Sequence, residues 1–200
     1  MFETLRLTYQ IFPILALLIS FLLLRSKQKL KVEDSIIIYT LFIFNFFDIF
    51  LWLLPNHRKT GILCYDILFP IFTISIILFK KHKNIATILV IAISIACLRI
   101  LQSSASIPIL AHFKIALSFT ACITILYVVF KNIHRARMQV FLLLLLAGIT
   151  FMDMFFNAAM FKIIPFDMHN WKIFLSCYIV YLSIINSMYI YYYGRQLFKH

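Results

Sequence analysis

Glycine is almost missing from this chain, with three residues in 200. Loops that cradle phosphate through close backbone approach, such as G-x-x-x-x-G-K-[ST], are thereby excluded. Acidic residues are nearly as scarce, seven against nineteen Lys and Arg, which leaves a formal net charge of +12. The six histidines show no i, i+4 pairing, and the four cysteines, Cys64, Cys97, Cys122 and Cys177, never adopt C-x-x-C spacing. Neither a zinc site nor a redox pair is therefore expected. No G-x-S-x-G motif accompanies the serines, and no lysine stands mid-way along the last apolar run, where a retinal Schiff base would need one. The reading at this point is no catalytic residue, no cofactor and no metal.

What is present is apolar. The apolar fraction is 64% and the charged fraction 13%, with a mean hydropathy of +0.97. A soluble domain is roughly 45 to 50% apolar and about 25% charged, and one of this size still exposes roughly 30% of its unfolded surface to water. Lipid must be the solvent for most of this chain. The bases fall in short clusters between apolar runs, at 25–31, 80–83 and 131–137, and form no continuous basic face. They read as topology signals beside anionic headgroups, and nucleic acid is not an expected partner.

About 20 mainly apolar residues are needed to cross the hydrocarbon as a helix. Seven segments approach that length, near 8–24, 36–54, 62–79, 85–101, 107–130, 140–164 and 173–193. The expected fold is all-α: one polytopic transmembrane bundle over 1–200, seven helices with short links and no room for a soluble domain. The first run lacks a small-residue cleavage site and its bases follow it, so it reads as a retained helix and not a secretory signal. With the N-terminus outside and the C-terminus in the cytoplasm, twelve Lys and Arg fall on the inner side and five on the outer, as cytoplasmic loops prefer. Trp52 and Trp171 then lie at the outer interface and Tyr191 to Tyr193 at the inner one. Pro13-Ile-Leu-Ala16 recurs as Pro108-Ile-Leu-Ala111, which suggests a parallel repeat of three helices, a linker helix and three more. In helix number alone this is similar to the SWEET and PQ-loop carriers, although the Pro-Gln dipeptide of the latter is absent.

Three acids, Asp48, Asp66 and Asp153, lie inside expected helices, where an ionisable group costs a few kcal/mol and normally faces a partner or a wet cavity. On the expected topology they sit at or above the midplane, as do Arg99, His112 and Lys114, and the inner half holds no such group. This places a polar pocket at the outer face, with Asp48, Asp66, Arg99, Lys114 and Asp153 as ligand-binding or ion-coupling residues. Asn45, His112, Thr150, Asn157 and Asn186 would support it. Asn45 and Asp48 are i, i+3, and Asp153 and Asn157 are i, i+4, so each pair shares a helix face. Ser183, Asn186 and Ser187 are expected on one side of the last helix. Asp66 and Arg99 fall at matched depth, so an ion pair between them is expected, and Cys64 with Cys97 occupy neighbouring outer ends where a disulfide is conceivable.

These features fit a small transporter or ligand-binding protein of the plasma or bacterial inner membrane, whose outward pocket takes a small molecule or ion. A sensory or scaffold subunit acting through helix contacts with a partner membrane protein is the alternative. An intramembrane lipid hydrolase is a third reading.

Overall fold

The computed structural model describes residues 9–26, 31–53, 67–76, 107–134, 137–160, 163, 165 and 168–197. Among them there are six helices and no strand: α1 (Ile11–Arg25), α2 (Val32–Leu53), α3 (Ile67–Ile76), α4 (Ile107–Lys131), α5 (Arg137–Met160) and α6 (Met168–Leu197). Three of them are long and apolar enough to cross a membrane, over His112–Lys131, Arg137–Ala159 and Asn170–Leu197. In α2 the 22 residues suffice in length, about 33 Å at the α-helical rise, but they include Glu33, Asp34 and Asp48. The regular elements among the described residues are all helical, and three helices of this length and apolarity suit a membrane protein. The fourth expected segment, 85–101, lies outside the described residues.

Local sequence explains the helix ends. Pro13 is the third residue after the Gln10 N-cap, a position whose N–H has no intrahelical partner in any case. Arg25 closes α1 and Lys131 closes α4, while Glu33 and Asp34 open α2, so each charge complements the helix dipole. Asn132 ends α4 through its own amide, with Nδ2 donating to the Val128 carbonyl at 2.8 Å. Hydroxyls within the helices donate back to the carbonyl four residues earlier, as in Thr73 to Phe69 (2.9 Å), Thr120 to Ala116 (2.7 Å) and Thr124 to Thr120 (2.6 Å). Each such bond satisfies a polar group where no water is at hand.

The helices bury one apolar face, with polar residues among it, and turn another row of large apolar side chains outward. Phe119, Ile123, Tyr127 and Phe130 form an outward stripe on α4, with Phe130 69% exposed. Ile11, Ile14, Leu18 and Phe21 do the same on α1, whose opposite face buries Pro13, Ala16, Ser20 and Leu23. Continuous apolar surface of this kind exceeds what water-facing monomers tolerate and suits lipid.

α4 and α5 form the most extensively packed pair. α1 packs on both α2 and α6, and α5 also meets α2 and α6. α3 sits between α2 and α4: Phe69 meets the Phe44 ring edge-on at 5.8 Å, and Ile67 and Ile71 cluster with Leu117. Close approach of α5 and α6 depends on Gly148, where a Cβ would overlap the Tyr181 hydroxyl. That hydroxyl instead donates to the Leu145 carbonyl at 2.8 Å.

Side-chain bonds fix which helix ends lie together. Asp34 near the start of α2 accepts from Gln139 near the start of α5 (2.6 Å) and from Tyr193 near the end of α6 (2.7 Å). Ser20, late in α1, shares a 2.7 Å hydrogen bond with Tyr189 of α6. One end of the bundle therefore gathers the helix termini that carry Arg25, Lys31, Arg137 and Arg195.

Buried acids also occur at this basic end, contrary to the expectation that it holds none. Glu33 and Asp34 are 4% and 8% exposed. α2 begins at Val32, four residues before the apolar run, so the helix carries both carboxylates into the bundle.

Candidate functional site

Three helices contribute stripes at helical spacing to a common interior. On α2 the stripe runs Asp34, Ile38, Leu41, Asn45, Asp48; on α5, Gln139, Leu143, Leu146, Thr150, Asp153, Asn157; on α6, Tyr178, Leu182, Asn186, Tyr189, Tyr193. Each is an apolar seam interrupted by polar residues, and the interruptions meet at three levels.

At the basic end, Asp34, Gln139 and Tyr193 form the group described above, and both donors reach the same carboxylate oxygen, Oδ1. Both donors are neutral. In the middle, Asn45 and Asn186 exchange reciprocal amide bonds, each Nδ2 donating to the other's Oδ1 at 3.1 Å. Asn45 Nδ2 donates also to the Leu41 carbonyl at 2.8 Å. Both amides are buried, at 0% and 1% exposure, so their donors and acceptors are satisfied inside the protein.

At the far end Asp153 of α5 accepts from the Tyr178 hydroxyl of α6 at 3.0 Å. Tyr178 lies as well within electrostatic reach of Asp48 and of the Tyr9 phenol. Tyr9, buried two residues ahead of α1, stands beside the Asp48 carboxylate. Two carboxylates from α2 and α5 and two phenols from the first helical region and α6 thus converge.

Aromatic rings lie beyond this group, between the C-terminal part of α5 and the N-terminal part of α6. Phe156 meets Trp171 at 4.8 Å, Phe155 meets Phe174 at 5.5 Å, and Trp171, Phe174 and Tyr178 stack along α6 at 6.1 and 6.4 Å. All five rings are half-buried. A separate open groove of about 430 Å³ runs between the first helical region and α6, lined by Tyr9, Phe12, Val180, Ser183, Ile184, Ser187 and Met188. It is largely apolar.

The structure sorts the expected site residues unevenly. Asp48 and Asp153 are brought to one place, and Asn45 and Asn186 pair with each other one turn deeper. Thr150 and Asn157 lie on the Asp153 stripe, but their side chains bond their own helix, Thr150 to the Ala147 carbonyl and Asn157 to that of Asp153. Lys114 is buried on α4, 3% exposed, on the inward stripe with Leu117, Ser118 and Ala121, while His112 is exposed. The expected common face of Ser183, Asn186 and Ser187 is split, with the serines on the groove and the amide on Asn45. Asp66 and Arg99, their expected ion pair, and the expected Cys64–Cys97 neighbourhood lie outside the described residues.

Tyr9, Tyr178, Asp34, Gln139 and Tyr193 are site-forming residues that sequence reasoning missed. Spacing carried a usable signal for two of them: Tyr178 is eight residues before Asn186 and Tyr193 seven after it, both on the same helix face. A comparison with protein families, curated proteins and solved structures finds no match to this chain.

Proposed function

We propose that this protein is a small multi-pass transporter whose Asp48–Asp153 site binds and releases a proton or another cation. The supporting observation is that Tyr178 answers to both carboxylates, donating to Asp153 while in electrostatic reach of Asp48. A purely structural joint would be served at lower desolvation cost by amides, as the Asn45–Asn186 pair one turn away illustrates. In the proposed arrangement seven helices cross the membrane in a 3+1+3 parallel repeat. The N-terminus is outside, and the Asp48–Asp153 site faces the outer half of a plasma or bacterial inner membrane. Asp66, Arg99 and Lys114 complete the pocket, with Asp153 as the coupling residue.

The reading is tested with the full chain in liposomes that enclose a pH-reporting dye, under an imposed membrane potential. Proton uptake is expected from the wild type and its loss from Asp153→Asn. Flux and pH dependence unchanged by Asp153→Asn would reject the role of that residue. No flux, together with a stoichiometric membrane partner in mild detergent, would point instead to a scaffold or sensory subunit.

A further inference from the structure

We infer that the open groove along α6 holds one acyl chain of an anionic phospholipid, drawn from the leaflet at the basic end of the bundle, with the lipid phosphate on Arg195. The inference is independent of the carboxylate tier and stands whether or not that tier moves a cation.

One face of α6 carries the outline of such a lipid. Val180, Ile184, Ser187, Tyr191 and Arg195 are spaced i, i+4, i+7, i+11 and i+15, which keeps them on one stripe about 22 Å long. The first three line the groove of about 430 Å³, with Phe12 and Met188 as further walls. Val180, Ile184 and Tyr191 are exposed, so the stripe opens sideways from the bundle. Arg195 at its end is exposed as well. Its Nη1 donates to the Tyr191 hydroxyl at 2.6 Å, and its guanidinium lies 5.2 Å from the ring centre. That bond uses one of five N–H donors and holds the group in place. No carboxylate pairs with Arg195 among the described residues, which leaves its charge and its other donors for an anion. A planar guanidinium matches a phosphate through two parallel bonds.

The membrane places the groove in one leaflet. Trp171 and Tyr191, ring types that settle at the hydrocarbon boundary, are 20 residues apart. That is about 30 Å of helix, the thickness of a hydrocarbon core. The midplane falls near Tyr181, so the groove from Val180 to Met188 lies in the half that ends at Tyr191 and Arg195. A phosphate on Arg195 sits just outside the boundary, and a chain descending from it meets the groove within one leaflet. Anionic lipids are characteristic of the cytoplasmic leaflet, the side that basic loops also prefer. A partner helix fits less well. Ser183 and Ser187 have the i, i+4 spacing that lets helices approach, but the Ser183 hydroxyl is spent on the Ile179 carbonyl at 2.8 Å. Exposed Val180 and Ile184 flank the serines and keep a helix backbone off, whereas a flexible chain runs between them.

The test is native mass spectrometry of the purified full chain in mild detergent, mixed with equal amounts of dioleoyl phosphatidylglycerol and dioleoyl phosphatidylcholine. One phosphatidylglycerol retained per chain is expected, with phosphatidylcholine retained about tenfold less. Arg195→Gln should remove that preference. Ile184→Trp, which fills the groove from an exposed position, should weaken phosphatidylglycerol retention about tenfold. Arg25→Gln is the control, because Arg25 continues the outward Ile14, Leu18, Phe21 stripe of α1 and should leave retention unchanged. A thermal midpoint close to the wild type shows each variant folded, and either of the first two decides the matter without the other. Equal retention of both lipids by the wild type, an Arg25→Gln loss as large as that of Arg195→Gln, or unchanged retention by Ile184→Trp overturns the inference. A lipid-free dimer that Ile184→Trp returns to monomer overturns it too and gives the groove to a second copy of this chain.

Discussion

A reciprocal amide pair costs more to halve than to remove. Replacing Asn186 with Leu leaves the Oδ1 of Asn45 without its donor and its Nδ2 with the Leu41 carbonyl alone, a loss of about 1 to 2 kcal/mol. The Asn45→Leu, Asn186→Leu double variant should recover part of the summed loss, measured by thermal unfolding in detergent, and strictly additive losses would show that the amides do not meet. Asp34 invites a related comparison. Its Oδ1 accepts from Gln139 and Tyr193, so Asp34→Ala strands two buried donors and should destabilise by about 2 to 3 kcal/mol. Asp34→Asn keeps an acceptor oxygen and should lose clearly less in the same unfolding assay; equal losses would mean that the carboxylate charge, and not the acceptor, holds the helices. At this scale the sequence was legible where a residue type violates its surroundings. Asp48, Asp153, Asn45 and Asn186 stand out because each is polar inside an apolar run. Tyr9 and Tyr178 do not, since a tyrosine in an apolar helix equally suits an interface belt. Asp34 escaped because it lies two residues before the apolar segment that begins at Ile36, although its helix carries it inward.

Between elements, the contact of α5 with α6 is set at a single small residue. Gly148 admits the Tyr181 hydroxyl to the helix surface, where it donates to Leu145. Gly148→Ala gains about 1 kcal/mol of helix propensity but places a methyl on that hydroxyl, and overpacking of this kind costs about 1 to 3 kcal/mol. Net destabilisation is expected, with partial recovery in Gly148→Ala, Tyr181→Phe, read as a shift in thermal midpoint; a more stable Gly148→Ala would show that the helices separate freely. Helix positions were legible from hydropathy, since α4 runs Ile107–Lys131 against an expectation of 107–130. Ends were less so. α2 starts at Val32 and α6 reaches Leu197, because hydropathy reports the hydrocarbon layer while the helices continue beyond it. Glu33 and Asp34 suit an N-terminus, and Arg195 lies 5.2 Å over the Tyr191 ring, with Nη1 donating to its hydroxyl at 2.6 Å.

Across the whole molecule, charge and hydrogen bonding act on the same end. Arg25, Lys31, Arg137 and Arg195 are far apart in sequence, yet Asp34 with Gln139 and Tyr193, and Ser20 with Tyr189, hold the helix termini that carry them together. Lys131 joins them through the short α4–α5 connection. A bundle with Arg25, Lys31, Lys131, Arg137 and Arg195 at one end favours one orientation, since positive loops are retained on the cytoplasmic side and anionic headgroups there attract them by about 1 kcal/mol per base near the surface. The tier of Tyr9, Asp48, Asp153 and Tyr178 lies at the opposite end, so orientation decides which compartment that tier is nearer. With the basic face inward, a green fluorescent protein fused after His200 should fluoresce in intact cells, and an alkaline phosphatase fused there should be inactive. Substituting Gln for Arg25, Lys27, Lys29 and Lys31 should weaken the bias and produce a measurable phosphatase-active fraction. An active phosphatase on the unaltered chain would invert the assignment and place the carboxylates toward the cytoplasm, where they would load from the inner pool.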